Sequence, residues 1–258
     1  MAKPPQGLTS IGKKIVMAVT GLLLCLYLIG HLGGNLTLLL PGQSFNNYAA
    51  LLTSLPFLLL IELGIAALFL IHAYEGFVVW RSNKNARPQD YHYQTWARTK
   101  SDRSRKTLSS TTMIASGTIV LIFVILHVWH FKFGPHYNVS EGNAVAGNVV
   151  VGVGAGGVGA LPGAGAHEAA HEVRDLARLV REEFQKPWIV ILYVLSMLAL
   201  GFHLYHAVSA SFQSLGADHP RFTRGVLLFG RIFTVVIAGG FAFLPLWVYI
   251  PYLLKGGR

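Results

Sequence analysis

The sequence predicts an all-α membrane protein, a bundle of five transmembrane helices with the N-terminus inside and the C-terminus outside. Three observations predict it. Five apolar stretches exceed the roughly 20 residues that a helix needs to cross a bilayer. Only 12% of the 258 residues are charged and 53% are hydrophobic, whereas about 25% of an ordinary soluble domain is charged. Lysine and arginine gather in alternate connections. The composition excludes a disordered chain and an ordinary soluble enzyme, and the single Cys25 excludes a disulfide scaffold.

Taken in order, the predicted spans are 15–40, 55–80, 108–133, 188–214 and 226–254, in one transmembrane domain covering 1–258. Backbone in lipid must satisfy its own hydrogen bonds, so stretches of this length are helices. Pro41 and Pro56 bound the first connection, Pro135 and Pro187 the third, and Pro245 is placed to kink the fifth helix. Orientation follows the positive-inside rule. The N-terminal tail carries Lys3, Lys13 and Lys14. The second connection, Arg81 to Lys106, holds eight basic residues, and the fourth carries Arg221 and Arg224. The first connection has no charge. The net charge of +10 is therefore mostly a topology signal, and no nucleic-acid partner is expected. Lys13 and Lys14 before an apolar run resemble a signal peptide. The run is too long, though, and residues 22–24 lack small side chains for cleavage. Cys25 reads as a packing residue, since one cysteine cannot hold an iron–sulfur cluster.

The histidines number 11, as many as the acids. His31, His72, His127, His130, His203 and His206 fall inside predicted helices; His92, His136, His167, His171 and His219 fall in connections, where solvation accounts for them. An ionisable side chain inside the membrane is costly and is read as functional. At about 1.5 Å per residue, His31 lies about 25 Å above the inner edge and His127 about 30 Å above it. His72 lies about 13 Å and His203 about 16 Å from that edge. Two pairs emerge, His31 with His127 in the outer half and His72 with His203 in the inner half, each from two different helices. Two neutral imidazoles at one depth can clamp a planar metal cofactor, and haem iron accepts imidazole. No Cys-x-x-Cys-His is present, so the haem would be b-type and not covalently attached. The bundle is therefore expected to hold two haem b groups. Gly30, Gly34, Gly76, Ala199 and Ala207 lie beside these histidines and would let a bulky ring approach; Gly30 and Gly34 also suit an ordinary helix–helix contact. His130 and His206, each three residues after an expected ligand, are alternative ligands; His206 also suits a propionate or a second, diffusible ligand.

Several strings carry a family resemblance: Tyr27-Leu-Ile-Gly-His31-Leu, Ser54-Leu-Pro-Phe57 with Glu62, Ile71-His72-Ala-Tyr-Glu-Gly76, Phe123-Val-Ile-Leu-His127-Val-Trp129, and Phe202-His203 through Ser211-Phe-Gln-Ser-Leu-Gly216. The chain resembles the dihaem cytochrome b membrane anchor of succinate dehydrogenase and fumarate reductase, the succinate:quinone oxidoreductases of the respiratory chain and tricarboxylic acid cycle. The resemblance covers nearly all of the chain except 135–186. It implies that the four axial histidines are His31, His72, His127 and His203, paired first with third and second with fourth. It also implies a multi-pass protein of the bacterial cytoplasmic membrane. A flavoprotein subunit and an iron–sulfur subunit would dock on the inner face, the anchor itself carrying electrons and binding quinone, with menaquinone favoured. The basic segment 81–106, with Tyr91, Tyr93 and Trp96, is the expected docking surface. Quinone chemistry moves protons, so an acid is expected at its site. Glu62 is the candidate beside the outer haem; Glu75, one turn from His72, is the candidate for an inner site or for contact with the inner haem's ligand. Some family members have a glutamate two residues before the fourth-helix histidine for proton passage; this chain has Gly201 there.

The segment 135–186 contains two further patterns. Gly152-Val-Gly-Ala-Gly-Gly157 matches the dinucleotide fingerprint formally, but in a Gly/Ala/Val-rich run with no βαβ unit. His167-Glu-Ala-Ala-His171 matches the zinc-protease pattern without a third ligand. Glu172, Arg174, Asp175, Arg178, Arg181 and Glu182 read as a solvated amphipathic helix on the outer surface. Two other readings compete with the dihaem anchor. One is a haem b anchor of another quinone-linked complex, such as nitrate reductase or hydrogenase. The other is a transporter that uses membrane histidines as a proton relay.

Overall fold

The computed structural model describes residues 9–41, 43–86, 108–137, 174–217 and 219–257. The described residues are nearly all helical, and five of their helices are long and apolar enough to cross a membrane. It is a multi-pass membrane protein. The helices are α1 (Ser10–Leu36), α2 (Ser44–Thr53), α3 (Leu58–Asn85), α4 (Leu108–Thr111), α5 (Met113–Lys132), α6 (Leu176–Glu183), α7 (Pro187–Ser214) and α8 (Pro220–Leu254).

The long helices run past the points where hydrophobicity changes, and α1 and α8 begin at side-chain caps. The α1 helix begins at Ser10 because Thr9 Oγ1 accepts the Gly12 N–H at 3.1 Å, so Lys13 and Lys14 lie in its first turns. Such side chains can run their stems along apolar surface to reach water. The α3 helix continues past Trp80 to Asn85 and carries Arg81 and Lys84 with it; the Lys84 ammonium lies over the Trp80 ring. Pro187 and Pro220 occupy the first turns of α7 and α8, where a missing N–H costs nothing. His219 caps α8 by accepting the Arg221 N–H. The fifth span therefore starts at Pro220, earlier than residue 226, and remains one helix through Pro245 and Pro251.

Two short helices lie in connections between the spans, the second of them where an amphipathic surface helix is expected. The α2 helix fills the uncharged segment after Pro41, and α6 closes the connection before α7. Asn46, 1% exposed, joins them: its amide nitrogen donates to Gln43 Oε1 and Asp175 Oδ1, and its oxygen accepts the Ala177 N–H. Leu38, Phe45, Ala177, Val180, Phe184, Ile189, Val190 and Tyr193 form a core beneath this cap. Helix α6 is thus docked along one face, with Arg178 and Arg181 turned outward, as an amphipathic surface helix is.

The helices α1, α3, α5 and α7 form a ring in which α1 packs on α3, α3 lightly on α5, α5 on α7 and α7 on α1. The two diagonals, α1 to α5 and α3 to α7, share little direct contact. Outside the ring, α8 packs mainly on α7. Gly240 of α8 lies so close to α1 that a Cβ there would sit 2.8 Å from Leu32 Cδ2. Helix α7 is the most buried span, while Leu59, Leu60, Ile125, Trp129 and Val235 turn outward, as lipid-facing side chains do.

Two histidine pairs across the diagonals of the bundle

The ring's diagonals are spanned by histidines. His31 of α1 meets His127 of α5 with ring centroids 5.8 Å apart and planes at 87°. His72 of α3 meets His203 of α7 at 6.3 Å and 76°. The structure thus brings together the same pairs that depth along each helix predicts. The first pair lies towards the end capped by α2 and α6, and the second lies towards the opposite end.

The hydrogen-bond partners decide which nitrogen of the His72 and His203 rings holds a proton. His72 Nδ1 lies 3.2 Å from the Met17 carbonyl oxygen and 3.2 Å from Thr20 Oγ1. A carbonyl only accepts, and the Thr20 hydroxyl donates back along its own helix to Val16. His72 Nδ1 therefore carries the hydrogen, and Nε2 keeps its lone pair. His203 repeats the arrangement. Its Nδ1 lies 3.3 Å from Ser116 Oγ, whose own hydrogen goes to the Met113 carbonyl. His127 Nδ1 lies 3.3 Å from Tyr193 Oη. Among the described residues no hydrogen bond engages Nε2 of His72, His127 or His203.

The anchors also leave room for the rings. A Cβ on Gly21 would lie 3.0 Å from His72 Cε1, and one on Gly117 would lie 3.2 Å from His203 Cε1. These glycines are not the ones that adjacency to the histidines suggests. Gly30 and Gly76 have nothing within 4 Å of a Cβ, and Gly34 is taken by the Tyr48 ring of α2. The signal that identifies the anchors is a repeat. Met17-Ala-Val-Thr20-Gly21 and Met113-Ile-Ala-Ser116-Gly117 share one pattern, and each glycine stands ten residues before a paired histidine, His31 or His127. Helices α1 and α5 therefore each hold one histidine of the second pair and supply one histidine of the first.

Aromatic rings surround the first pair. Tyr27 stacks on His31 at 5.4 Å, Phe241 lies 5.5 Å from it, and Phe123 and Phe131 flank His127. His130 does not join His31. Its Nε2 bonds Glu183 Oε2 at 2.8 Å, and its Nδ1 lies 3.3 Å from the same Tyr193 hydroxyl. His206 lies half-buried one turn from His203.

The two candidate acids differ. Glu62 is half-exposed and ion-paired with Lys132 of α5, so it is engaged rather than free. Glu75 is buried, and its Oε2 has no hydrogen-bond partner. Gly201 packs on α8, where a Cβ would lie in ordinary contact, 3.4 Å from that of Ala238. The His167–His171 and Gly152–Gly157 motifs, and most of the basic docking segment (87–107), lie outside the described residues.

The donor set can be tested against a metal cofactor. Imidazoles on opposite sides of one metal ion have centroids about 6.3 Å apart, given metal–nitrogen bonds of about 2.0 Å and a ring radius of about 1.15 Å. The observed 6.3 Å of His72–His203 equals that span, and the 5.8 Å of His31–His127 is about 0.5 Å short of it. Among the described residues no three His, Cys, Asp or Glu side chains converge. Each site thus offers two nitrogens, which suits a metal whose other positions are filled by its own macrocycle. Comparison of the chain with protein-family models, with curated proteins and with solved structures gives no match.

Proposed function

We propose that the chain is the membrane-anchor cytochrome b subunit of a succinate:quinone oxidoreductase, with two bis-histidine haem b groups. It would carry electrons between an iron–sulfur subunit and membrane quinone, with menaquinone favoured. The observation that carries this reading is the pair of cross-diagonal histidine couples, in which His72, His127 and His203 each engage Nδ1 with a neighbouring group. In the His72–His203 couple both neutral imidazoles present a lone pair and cannot bond each other, and an electrophile between them resolves the conflict. When bound, haem iron supplies a one-electron ferric–ferrous couple.

The chain's own residues hold and orient. His31 and His127 would ligate one iron, His72 and His203 the other. Thr20, the Met17 carbonyl and Ser116 fix the imidazole tautomers of the second pair, and Gly21 and Gly117 admit its rings. The aromatic wall of Tyr27, Phe123, Phe131 and Phe241 covers the first pair. Buried Glu75, with a free carboxyl oxygen, is the better placed of the two acids to hold a proton near the second pair. Glu62 is tied to Lys132. The positive-inside reading puts the second pair in the inner half of a bacterial cytoplasmic membrane, nearest a flavoprotein and iron–sulfur subunit docked on the inner face.

A dithionite-reduced minus oxidised spectrum of the purified protein tests the haem, and a haem b band is expected. A spectrum without it overturns the proposal and leaves a proton-relay transporter as the better reading. Recovery of a flavin-carrying, succinate-oxidising subunit with the chain from native membranes is the expected second result; recovery with a different dehydrogenase overturns the succinate assignment.

A further inference from the structure

Three of the paired histidines have an Nδ1 partner, but only His127 has one tied to a residue outside the spans. His72 and His203 are fixed by hydroxyls on α1 and α5. His127 instead begins a chain that leaves the membrane: Tyr193 Oη at 3.3 Å, His130 Nδ1 at 3.3 Å from the same oxygen, Glu183 Oε2 at 2.8 Å from His130 Nε2, and Lys186 Nζ at 2.7 Å from Glu183 Oε1. Glu183 is the last residue of α6 and is 8% exposed. It lies beneath the cap that Asn46 holds to α2.

The chain has one consistent direction. An ionised carboxylate only accepts hydrogen bonds, so His130 Nε2 must donate. In a neutral imidazole the other nitrogen then accepts, and His130 Nδ1 takes the Tyr193 hydroxyl hydrogen. The Tyr193 oxygen, its one hydrogen spent, accepts from His127 Nδ1. His127 Nε2 is left with the lone pair that a metal needs. With His130 neutral, reversing either bond to Tyr193 would set two acceptors against each other at the 2.8 Å contact. Burial pushes the Glu183 carboxyl towards higher pKa, but the hydrogen bonds from Lys186 and His130 outweigh it and hold the group below its ordinary value. The carboxylate is therefore the fixed end from which the direction is set.

We infer that Glu183 is a positioning residue for His127, acting through His130 and Tyr193 to fix which imidazole nitrogen is free to bind metal. The inference rests on the bis-histidine haem reading. It gives helix α6 a task at the site, which the solvated charge pattern of residues 172–182 does not suggest. Partners of this kind orient a metal-binding imidazole and raise its basicity, and their loss typically changes metal properties about 10–100-fold.

The test is a redox titration at pH 8, where an ordinary histidine is neutral. It is run on the purified full chain with its bound haems, for wild type, Glu183→Gln and Tyr193→Phe. His31→Ala identifies which haem belongs to the His31–His127 pair. The expected result is two haems in both variants. The ferrous form of the His31–His127 haem is favoured about tenfold, or about 59 mV for one electron. The haem of the His72–His203 pair does not move. Phe at 193 keeps the ring among Phe123, Phe131 and Phe184, so loss of only the His31–His127 haem in that variant also supports the inference. Unmoved potentials, or equal movement of both haems, overturn it. A wild-type chain without haem overturns both this inference and the function on which it rests.

Discussion

The replacement Gly117→Ala isolates the geometry around one histidine. Its Cβ would stand 3.2 Å from His203 Cε1, while carbon contacts are most favourable at about 3.5–4.0 Å. The ring must therefore retreat by about 0.3–0.8 Å. His203 Nδ1 is already 3.3 Å from Ser116 Oγ, and Ser116 precedes Gly117 on the same helix, so the acceptor does not follow the ring. The bond stretches beyond a useful length. Losing it costs roughly 0.5–1.5 kcal/mol, and disturbing such a partner typically weakens metal binding about 10–100-fold. Alanine is better than glycine inside a helix by about 0.8–1.0 kcal/mol, so the fold itself is not weakened. Haem titration into apo-protein, followed by absorbance, should show the His72–His203 site weakened about tenfold and the other site unchanged. Gly21→Ala, whose Cβ would lie 3.0 Å from His72 Cε1, should weaken the same site at least as much. Equal weakening of both sites, or weakening of the His31–His127 site alone, refutes the reasoning.

The remaining predictions concern the cap and the acids. Asn46→Leu strands the buried Ala177 N–H, at about 1–3 kcal/mol, and takes one donor from Asp175 Oδ1, which still accepts the Arg178 N–H. Hydrogen exchange across 176–183 should accelerate while α7 stays protected. Because the Glu183 pKa is depressed in the folded chain, its contribution is complete above the unfolded value of about 4.3 and is lost as pH falls through the lower folded value. Protection of α6 should thus be level from pH 5 to 8 and fall in stronger acid; a loss on going from pH 6 to 8 contradicts this. Glu62→Gln breaks a half-exposed ion pair worth about 0–1 kcal/mol, so both haems should be retained at wild-type content. Glu75→Gln should slow electron exchange with a quinone analogue in stopped flow while haem content stays intact; an unchanged rate removes Glu75 from proton handling.

Five apolar runs and the histidine pairs were legible in the sequence because each follows from one dimension, distance along a helix. Depth arithmetic places His31 level with His127 and His72 level with His203, and the folded rings lie within 5.8 and 6.3 Å. What escaped depends on rotation about the helix and on distant partners. Gly34 adjoins His31 in depth but faces Tyr48, because α2 is a short helix in an uncharged connection with too little periodicity to stand out. Glu62 has the right depth for a site acid, but its partner Lys132 lies on another helix and is visible only in the fold. Tyr193 and Glu183 are far from His127 in sequence. Neither belongs to a motif, and only the docking of α6 brings the carboxylate to His130. The glycine anchors were accessible in principle, because the Met-x-x-Thr/Ser-Gly repeat can be read without coordinates.

The central claim is that two haems are held by two specific couples, each crossing a diagonal of one helix ring. Haem content and low-spin electron paramagnetic resonance of four variants, His31→Ala, His127→Ala, His72→Ala and His203→Ala, test it most directly. The first two variants are expected to lose one and the same haem signal, the last two to lose the other, and each variant to keep the haem it does not ligate. A wild-type chain without haem contradicts it, as does a His31 variant that loses the same signal as a His72 or His203 variant.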